Sequence, residues 1–125
     1  MWARRGDAER GRMAYRLGLR AEGFAALLLR LKGYRILARR LKTPAGEIDM
    51  VVRRGRVIAL VEVKARGASG RAVEALTPRQ QQRLQRAAAH FLGRNPALSN
   101  LDLRFDMVLV APRRLPLHMA DAWRP

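Results

Sequence analysis

The sequence predicts a single α/β domain in which a mixed sheet is flanked by helices. A helical apolar period ends at Gly33, β-branched runs flank Gly55, and Thr77-Pro78 begins a second helix before another apolar run near residue 108. The expected order is therefore helix, three strands, helix and strand. The sequence does not decide whether a final strand follows. At 125 residues and 49% hydrophobic content, the chain is long enough for one core and too short for a second domain.

The first helix is predicted from Leu17 to Lys32, where Gly33 supplies a left-handed stop. Residues 1–16 are rich in arginine and glycine and lack an apolar period, so we expect a basic mobile arm or a fraying helical start before a domain of residues 17–125. The apolar period of the helix consists of Leu17, Ala21, Phe24, Leu28 and Leu31.

Three strands are predicted between the helices. Tyr34 to Leu41 is expected to form an edge strand, followed by a turn at Lys42 to Ala45. Gly55-Arg56 suits a type II′ turn, which pairs residues whose numbers sum to 111 and places Asp49 opposite Glu62. In this register one hairpin face is apolar and consists of Ile48, Met50, Val52, Val57, Ala59, Val61 and Val63.

The other face of the hairpin gathers charged residues at its open end, namely Glu47, Asp49, Glu62 and Lys64. Three carboxylates on a half-buried sheet repel one another unless a cation lies among them, and oxygen ligands without cysteine favour magnesium or manganese. Such an ion can activate water for phosphodiester hydrolysis while the lysine orients the nucleophile. The alternative is a solvated cross-strand ion pair of Glu47 with Lys64, worth roughly 0.2 to 1 kcal/mol.

The second helix is expected to start with Thr77 as N-cap and Pro78 at its first position, and to run to Leu92 with Gly93 as its stop. Its predicted buried stripe consists of Leu84, Ala88 and Phe91.

Basic residues near the hairpin are candidates for phosphate contacts. Arg79, Arg83 and Arg86 lie at i, i+4 and i+7 of the second helix, and this α2 ridge can follow a phosphate backbone. Arg66 and Arg71 lie in the Gly-rich segment after Lys64, and Arg66 is the preferred phosphate clamp. The alternative for all five arginines is an ordinary solvated surface.

The C-terminal part is predicted to contain a strand from Arg104 to Ala111, with a final edge strand at Leu115 to Ala122 left open. We expect Asp106 to fix structure through Arg104 or a backbone amide. His118 has no neighbouring partner in the sequence and makes no catalytic triad.

The formal charge of +16 arises from 26 basic and 10 acidic residues and indicates a polyanionic partner. Codon bias explains a preference for arginine over lysine but not the surplus of positive charge. Nucleic acid is therefore the expected partner, with an anionic membrane ranked far below it because no helix combines a basic face with exposed aromatics. The absence of cysteine suits a reducing compartment, and no apolar run is long enough to cross a bilayer, so we expect a cytoplasmic protein.

The hairpin acids and lysine also resemble a known signature. Asp49 followed by Glu62-x-Lys64 is similar to the PD-(D/E)XK nuclease pattern, without a proline before the aspartate. The accompanying motifs, in order, are Gly18-x-x-Ala21-Glu22, Gly33-Tyr34-x-Ile36-Leu37, Gly46-Glu47-Ile48-Asp49, Val61-Glu62-Val63-Lys64-x-Arg66 and Arg104-Phe105-Asp106. Together they resemble the YraN-like family of small bacterial proteins over about Gly18 to Val110. This resemblance implies a restriction-endonuclease-like fold related to archaeal Holliday-junction resolvases.

The residues of the hairpin and the resemblance together predict roles for five residues, among which the role of Glu22 is implied by the resemblance. Asp49 and Glu62 would hold a metal ion, and Glu22 would complete its shell from the first helix. Lys64 would position or activate water, and Glu47 would orient Lys64. The alternative for Glu22 is a solvated glutamate favoured by the positive end of its helix.

The chain departs from the family pattern at three positions. The family usually has glycine where Ala21 stands, asparagine near Arg40 and lysine near Gln80. Gln80 is kept as a candidate contact to nucleic acid because glutamine on this helix is similar to what other PD-(D/E)XK families use near the metal.

The sequence therefore predicts a Mg²⁺- or Mn²⁺-dependent deoxyribonuclease that hydrolyses phosphodiester bonds. One alternative is a nucleic-acid-binding module that keeps the nuclease scaffold without catalysis. Another is a basic assembly protein of ribosomal or RNA-processing type, for which the net charge suffices. Whether a homodimer spans the two strands of a nucleic acid is left undecided by the sequence.

Overall fold

The computed structural model describes residues 20–65 and 76–125. The predicted basic arm, Arg66 and Arg71 therefore lie outside the described residues. The elements in chain order are α1 (20–31), β1 (Arg35–Thr43), β2 (Gly46–Arg54), β3 (Val57–Ala65), α2 (Pro78–Arg94), a 3₁₀ turn (Pro96–Leu98), β4 (Asp102–Val110) and β5 (Leu117–Trp123). The predicted mixed α/β order is confirmed, and the strand that was left open at the C-terminus is present as β5.

The five strands form one sheet in the order β1-β2-β3-β4-β5. Neighbouring strands are antiparallel except β3 and β4, which are parallel because the chain between them crosses over through α2. The first strand is an edge strand, as predicted, and it continues to Thr43, two residues further than the sequence indicated. Within the described residues, no helix combines the length and apolarity needed to span a bilayer.

The two helices pack on opposite faces of the sheet. Residues that alternate along a strand point to opposite faces, and Val52 packs in the cluster that contains α1 whereas Val51 packs in the one that contains α2. The α1 side buries Ala21, Ala25, Ala26 and Leu29, and the α2 side buries Leu84, Ala87, Ala88 and Phe91. The predicted stripe of α2 is thus confirmed.

The apolar residues of α1 are distributed differently from the prediction. The small residues face the sheet, where they allow the helix to approach it closely, while Phe24 and Leu31 of the predicted period are exposed. Ile48 was also expected on the face of Met50 and Val52 but packs in the α2-side cluster.

The helix ends explain where the strands begin. At the end of α1, Gly33 adopts φ +91°, its N–H donates to Arg30 O and Tyr34 N–H donates to Leu29 O, which makes a Schellman motif. Thr77 caps α2, as predicted. The predicted stop at Gly93 is wrong because the helix continues to Arg94.

The β2–β3 turn fixes the register of the central hairpin. Gly55 adopts φ +61° while Arg56 keeps a negative φ, the pattern of a type II′ turn. The paired residues run from Arg54 with Val57 to Met50 with Val61, and their numbers sum to 111 as predicted.

A buried polar network joins β4 to β5. Asp106 has a fully buried side chain that accepts hydrogen bonds from the Arg104 guanidinium, from His118 Nε2 at 2.7 Å and from the Asp121 backbone N–H at 2.9 Å. Burial alone raises the Asp106 pKa, but the bonds from His118 and Arg104 outweigh it and hold the pKa at about 2. The expected structural role of Asp106 is confirmed, and the partner that His118 lacked in the sequence is Asp106.

Candidate functional site

Asp49 lies where the β2–β3 backbone ladder ends. The last backbone pair on that side is Met50 with Val61, and beyond it the Asp49 Oδ2 atom accepts a hydrogen bond from the Val63 N–H at 2.8 Å. A side-chain oxygen thus takes the place of a strand carbonyl. This bond holds the Asp49 carboxylate against β3, beside Glu62.

Glu62 is a buried acid, with only 7% of its surface exposed. Its Oε1 atom is buried and has no hydrogen-bond partner. Burial, and then the negative charge of Asp49, raise the Glu62 pKa to about 8. Burial also raises the Asp49 pKa, although the Val63 N–H opposes this. These surroundings therefore favour the protonated form of Glu62.

Glu22 reaches the same region from α1. Burial and the Asp49 charge raise the Glu22 pKa, and its buried Oε2 atom has no hydrogen-bond partner. The Arg40 Nε atom lies 3.8 Å from this oxygen and also 3.8 Å from Glu47 Oε1. Arg40 adopts a left-handed φ of +51°, which non-glycine residues rarely do, and its guanidinium links acids from two elements.

Lys64 is half-buried at the end of β3, and its charge lowers the pKa of both Asp49 and Glu62. The cross-strand ion pair of Glu47 with Lys64, which was the alternative to a metal site, is not found, and Glu47 forms an ion pair with Arg40 instead. That Glu47 orients Lys64 stays a prediction, and Lys64 lies close enough to Asp49 and Glu62 to act on both through its charge.

The α2 ridge lies on the face of the sheet opposite to α1 and Glu22. Arg83 lowers the Glu62 pKa through its charge. The Arg83 stem passes so close to Gly46 that a Cβ there would lie 2.9 Å from Arg83 Cδ, and Gly46 also adopts φ +138°. The ridge lines a groove of about 460 Å³ together with Pro44, Ala45, Gln80 and Gln82.

Gln80 has a structural partner that the sequence did not assign to it. Its Oε1 atom accepts from the Thr77 N–H at 2.9 Å, while its own N–H donates to Thr77 Oγ1, which completes a capping box. Gln80 therefore lies at the groove with its side-chain carbonyl already engaged.

The donor set suits a hard divalent cation. Magnesium is commonly bound by one or two carboxylates with water and phosphate completing its shell, and Asp49 and Glu62 supply such a pair with one orphaned oxygen. Among residues 20–65 and 76–125, no three histidine, cysteine, aspartate or glutamate side chains converge as a preformed metal site. Glu22 is electrostatically coupled to Asp49, and its place in the metal shell stays a prediction.

Arg40 is the site residue that sequence reasoning missed. The β1–β2 register pairs Arg39 with Met50 and Leu41 with Ile48, so Arg40 stands opposite Asp49. A basic residue opposite an acid was the available signal, but it required the register of an edge strand that contains an irregularity between Ile36 and Ala38.

Comparisons with known proteins agree on one family. A family model described as "Uncharacterised protein family UPF0102" matches residues 21–110. A UPF0102 protein of Parvibaculum lavamentivorans is 71% identical over 98% of this chain and 92% of its own length. One of Paramagnetospirillum magneticum is 59% identical over 89% of each chain, and one of Caulobacter vibrioides is 49% identical over 91% of each.

Proposed function

The chain belongs to the UPF0102 family, the YraN-like proteins that its motifs resemble, and we propose that it is a Mg²⁺- or Mn²⁺-dependent phosphodiesterase acting on DNA. The observation that carries the proposal is the carboxyl pair of half-buried Asp49 and buried Glu62, with an orphaned oxygen on Glu62 and Lys64 beside them. The order of helix, three-strand meander, crossover helix and parallel strand is consistent with the restriction-endonuclease-like fold that the resemblance implies.

Asp49 and Glu62 would hold the cation, because two neighbouring acids whose pKa values are raised gain most from a positive charge between them. When bound, a divalent ion polarises the scissile phosphate and lowers the pKa of water. Lys64 would orient the attacking water and offset the charge that develops on phosphate. Glu22 lies close enough to act on Asp49 through its charge and would position the site rather than ligate the ion.

The α2 ridge would bind the phosphate backbone. Its groove is lined by basic and amide side chains, and Arg83 extends from the groove toward Glu62. Backbone held by the ridge would therefore pass close to the acids. The preference for DNA over RNA rests on the resemblance to Holliday-junction resolvases.

One observation favours a second candidate, a nucleic-acid-binding module without catalysis. Arg40 already supplies a positive charge between Glu22 and Glu47, which lessens the need for a metal ion there. It does not reach the orphaned Glu62 oxygen, so we rank the enzyme first.

The test measures binding and cleavage of single-stranded, duplex, flap and four-way DNA and of a structured RNA, with and without Mn²⁺. Lys64→Ala should reduce the cleavage rate by roughly 100- to 10,000-fold, as expected for a positioned catalytic group, with little change in DNA affinity. Lys42→Ala is the matched control, because Lys42 is an exposed lysine of β1, and it should cut like wild type.

Three results would contradict the proposal in different ways. Wild-type protein that binds DNA and cuts no substrate would support the binding module. Preference for structured RNA without any metal effect would support the assembly protein. Equal cleavage by Lys64→Ala and wild type would leave a nuclease but remove the role proposed for Lys64.

A further inference from the structure

The sheet covers one face of α1. The opposite face, which is exposed, is also apolar. Phe24, Leu27 and Leu31 lie at i, i+3 and i+7, and each has more than half of its surface exposed. Leu31 alone is 78% exposed. An amphipathic surface helix normally turns polar residues outward, so a second apolar stripe at this spacing indicates a second packing partner.

The stripe forms one wall of a groove of about 650 Å³, the α1 groove. The opposite wall is the segment that follows β4, in which Leu115 is 91% exposed and Pro112 and Pro116 add apolar surface. Leu28 and Val110 line the groove between these walls. The surface is thus continuous across two separate elements.

The rim of the α1 groove is positively charged. Arg20, Arg113 and Arg114 line it, and within residues 20–65 and 76–125 none of them forms an ion pair with an acidic side chain. A second copy of the chain would bring the same three arginines together on a protein of formal charge +16. Charge complementarity therefore favours an acidic occupant over self-association.

The geometry of the stripe indicates the shape of that occupant. Residues at i, i+3 and i+7 span two turns of α1, about 10 Å at 1.5 Å per residue, and present the seam on which another helix packs. A peptide that binds by adding a strand would need a free strand edge, whereas this surface is a helix and a loop.

We propose that the α1 groove docks an amphipathic, acidic helix of a partner protein. The apolar side of that helix packs on Phe24, Leu27, Leu31 and Leu115, and its flanking aspartates and glutamates meet the arginine rim. The proposal is independent of the nuclease function, because the groove residues are distinct from the acidic site and the α2 ridge.

The test uses two fluorescent synthetic peptides of about 18 residues with the same composition of leucine, alanine and glutamate. In one, leucines repeat at i, i+3, i+4 and i+7; in the other, the order is scrambled. Full-length protein should bind the patterned peptide in the micromolar range and the scrambled one at least tenfold more weakly, measured by anisotropy at physiological salt. The scrambled peptide controls for attraction of any acidic peptide to a basic protein.

Variants locate the binding surface. Leu31→Gln should weaken binding of the patterned peptide at least tenfold. In a separate variant, Arg113→Glu combined with Arg114→Glu should weaken that binding by a larger factor at low salt than at physiological salt. Leu103→Gln is the matched control, because Leu103 is an exposed leucine of β4 outside the groove, and it should bind like wild type.

Other outcomes overturn the proposal. Equal affinity for both peptides, or no binding of either, removes the helix-docking site. A dimer in sedimentation velocity that Leu31→Gln converts to monomer assigns the groove to a second copy. If the protein binds neither peptide but sediments with phosphatidylcholine–phosphatidylglycerol vesicles, and Leu31→Gln abolishes that sedimentation, the groove binds lipid instead. A loss of more than about 5 °C in Tm on Leu31→Gln would mean that the chain itself already covers the stripe.

Discussion

Glu62→Gln should change how the stability of the cation-free protein depends on pH. The Glu62 pKa is about 8 in the folded chain against 4.5 in the unfolded chain, because burial and then Asp49 disfavour its charge. Between these values the folded state binds more protons than the unfolded state, so the free energy of unfolding falls as pH rises. The stabilisation from protonated Glu62 is complete below pH 4.5 and is lost as pH rises through 8.

The magnitude follows from the two pKa values. At about 1.4 kcal/mol per pH unit, the interval between 4.5 and about 8 corresponds to an upper bound on the order of 5 kcal/mol. Glutamine keeps the size of the side chain and does not ionise, so the variant escapes this loss. Relative to wild type, Glu62→Gln should gain several kcal/mol between pH 5 and pH 9.

Urea unfolding followed by circular dichroism in EDTA, at intervals from pH 5 to pH 9, measures the effect. Titration of groups that do not act on Glu62 changes both proteins equally and cancels in the difference, whereas Asp49, which is coupled to Glu62, contributes to it. Glu47→Gln is the matched control, since its side chain is 39% exposed and its curve should run parallel to wild type. Parallel curves for Glu62→Gln and wild type would refute the placement of a protonated acid at this site.

Two further predictions concern the α2 ridge and the buried network. The DNA affinity of wild type should fall steeply as the salt concentration rises. Replacing each arginine of the α2 ridge by glutamine should reduce the slope of log affinity against log salt concentration by about 1. A wild-type slope near zero would refute phosphate binding. Asp106→Asn should lower the free energy of unfolding at pH 7 by about 3 to 5 kcal/mol, because Arg104 and His118 lose a buried charged partner. The Asp106 pKa is about 2 in the folded chain and 3.8 in the unfolded chain, so the stability lost in Asp106→Asn should shrink as pH falls below 3.8. A loss of less than about 1 kcal/mol at pH 7 would contradict the structural role of the network.

The hairpin was predictable because its determinants are local. A glycine with positive φ at position 55 fixes the turn, and the turn fixes the register as far as Met50 with Val61. The predicted direct pairing of Asp49 with Glu62 is not part of that register, and the bond from the Val63 N–H holds Asp49 against β3 instead. Local determinants also fix the ends of the helices, where Gly33 and Thr77 act within one turn of their own positions.

The faces of α1 were not predictable from periodicity alone. The apolar residues of this helix occupy more than one face, and periodicity does not say which face meets the sheet. Close helix–sheet packing selects Ala21, Ala25 and Ala26 and leaves Phe24 and Leu31 outside.

The partners of the charged residues depend on contacts between distant elements. Arg40 meets Glu22 only because α1 and β1 come together beside the hairpin, and His118 meets Asp106 only because β5 pairs with β4. The chain at Asp49 also leaves regular strand pairing, since its carboxylate rather than a backbone carbonyl accepts from Val63, and the alternation expected for Ile48 fails next to it. Strand alternation assumes regular pairing and cannot anticipate such a change.

Calorimetric titration of the full chain with Mn²⁺ tests directly whether Asp49 and Glu62 form a cation site. At pH 7, in two buffers with different ionisation enthalpies, we expect one ion per chain with release of about one proton, because the ion must displace the proton that the raised Glu62 pKa favours. Asp49→Asn should abolish binding, and Glu47→Gln should retain it. Absence of Mn²⁺ binding at millimolar concentration, or binding that survives Asp49→Asn, would show that the two carboxyls do not form a cation site.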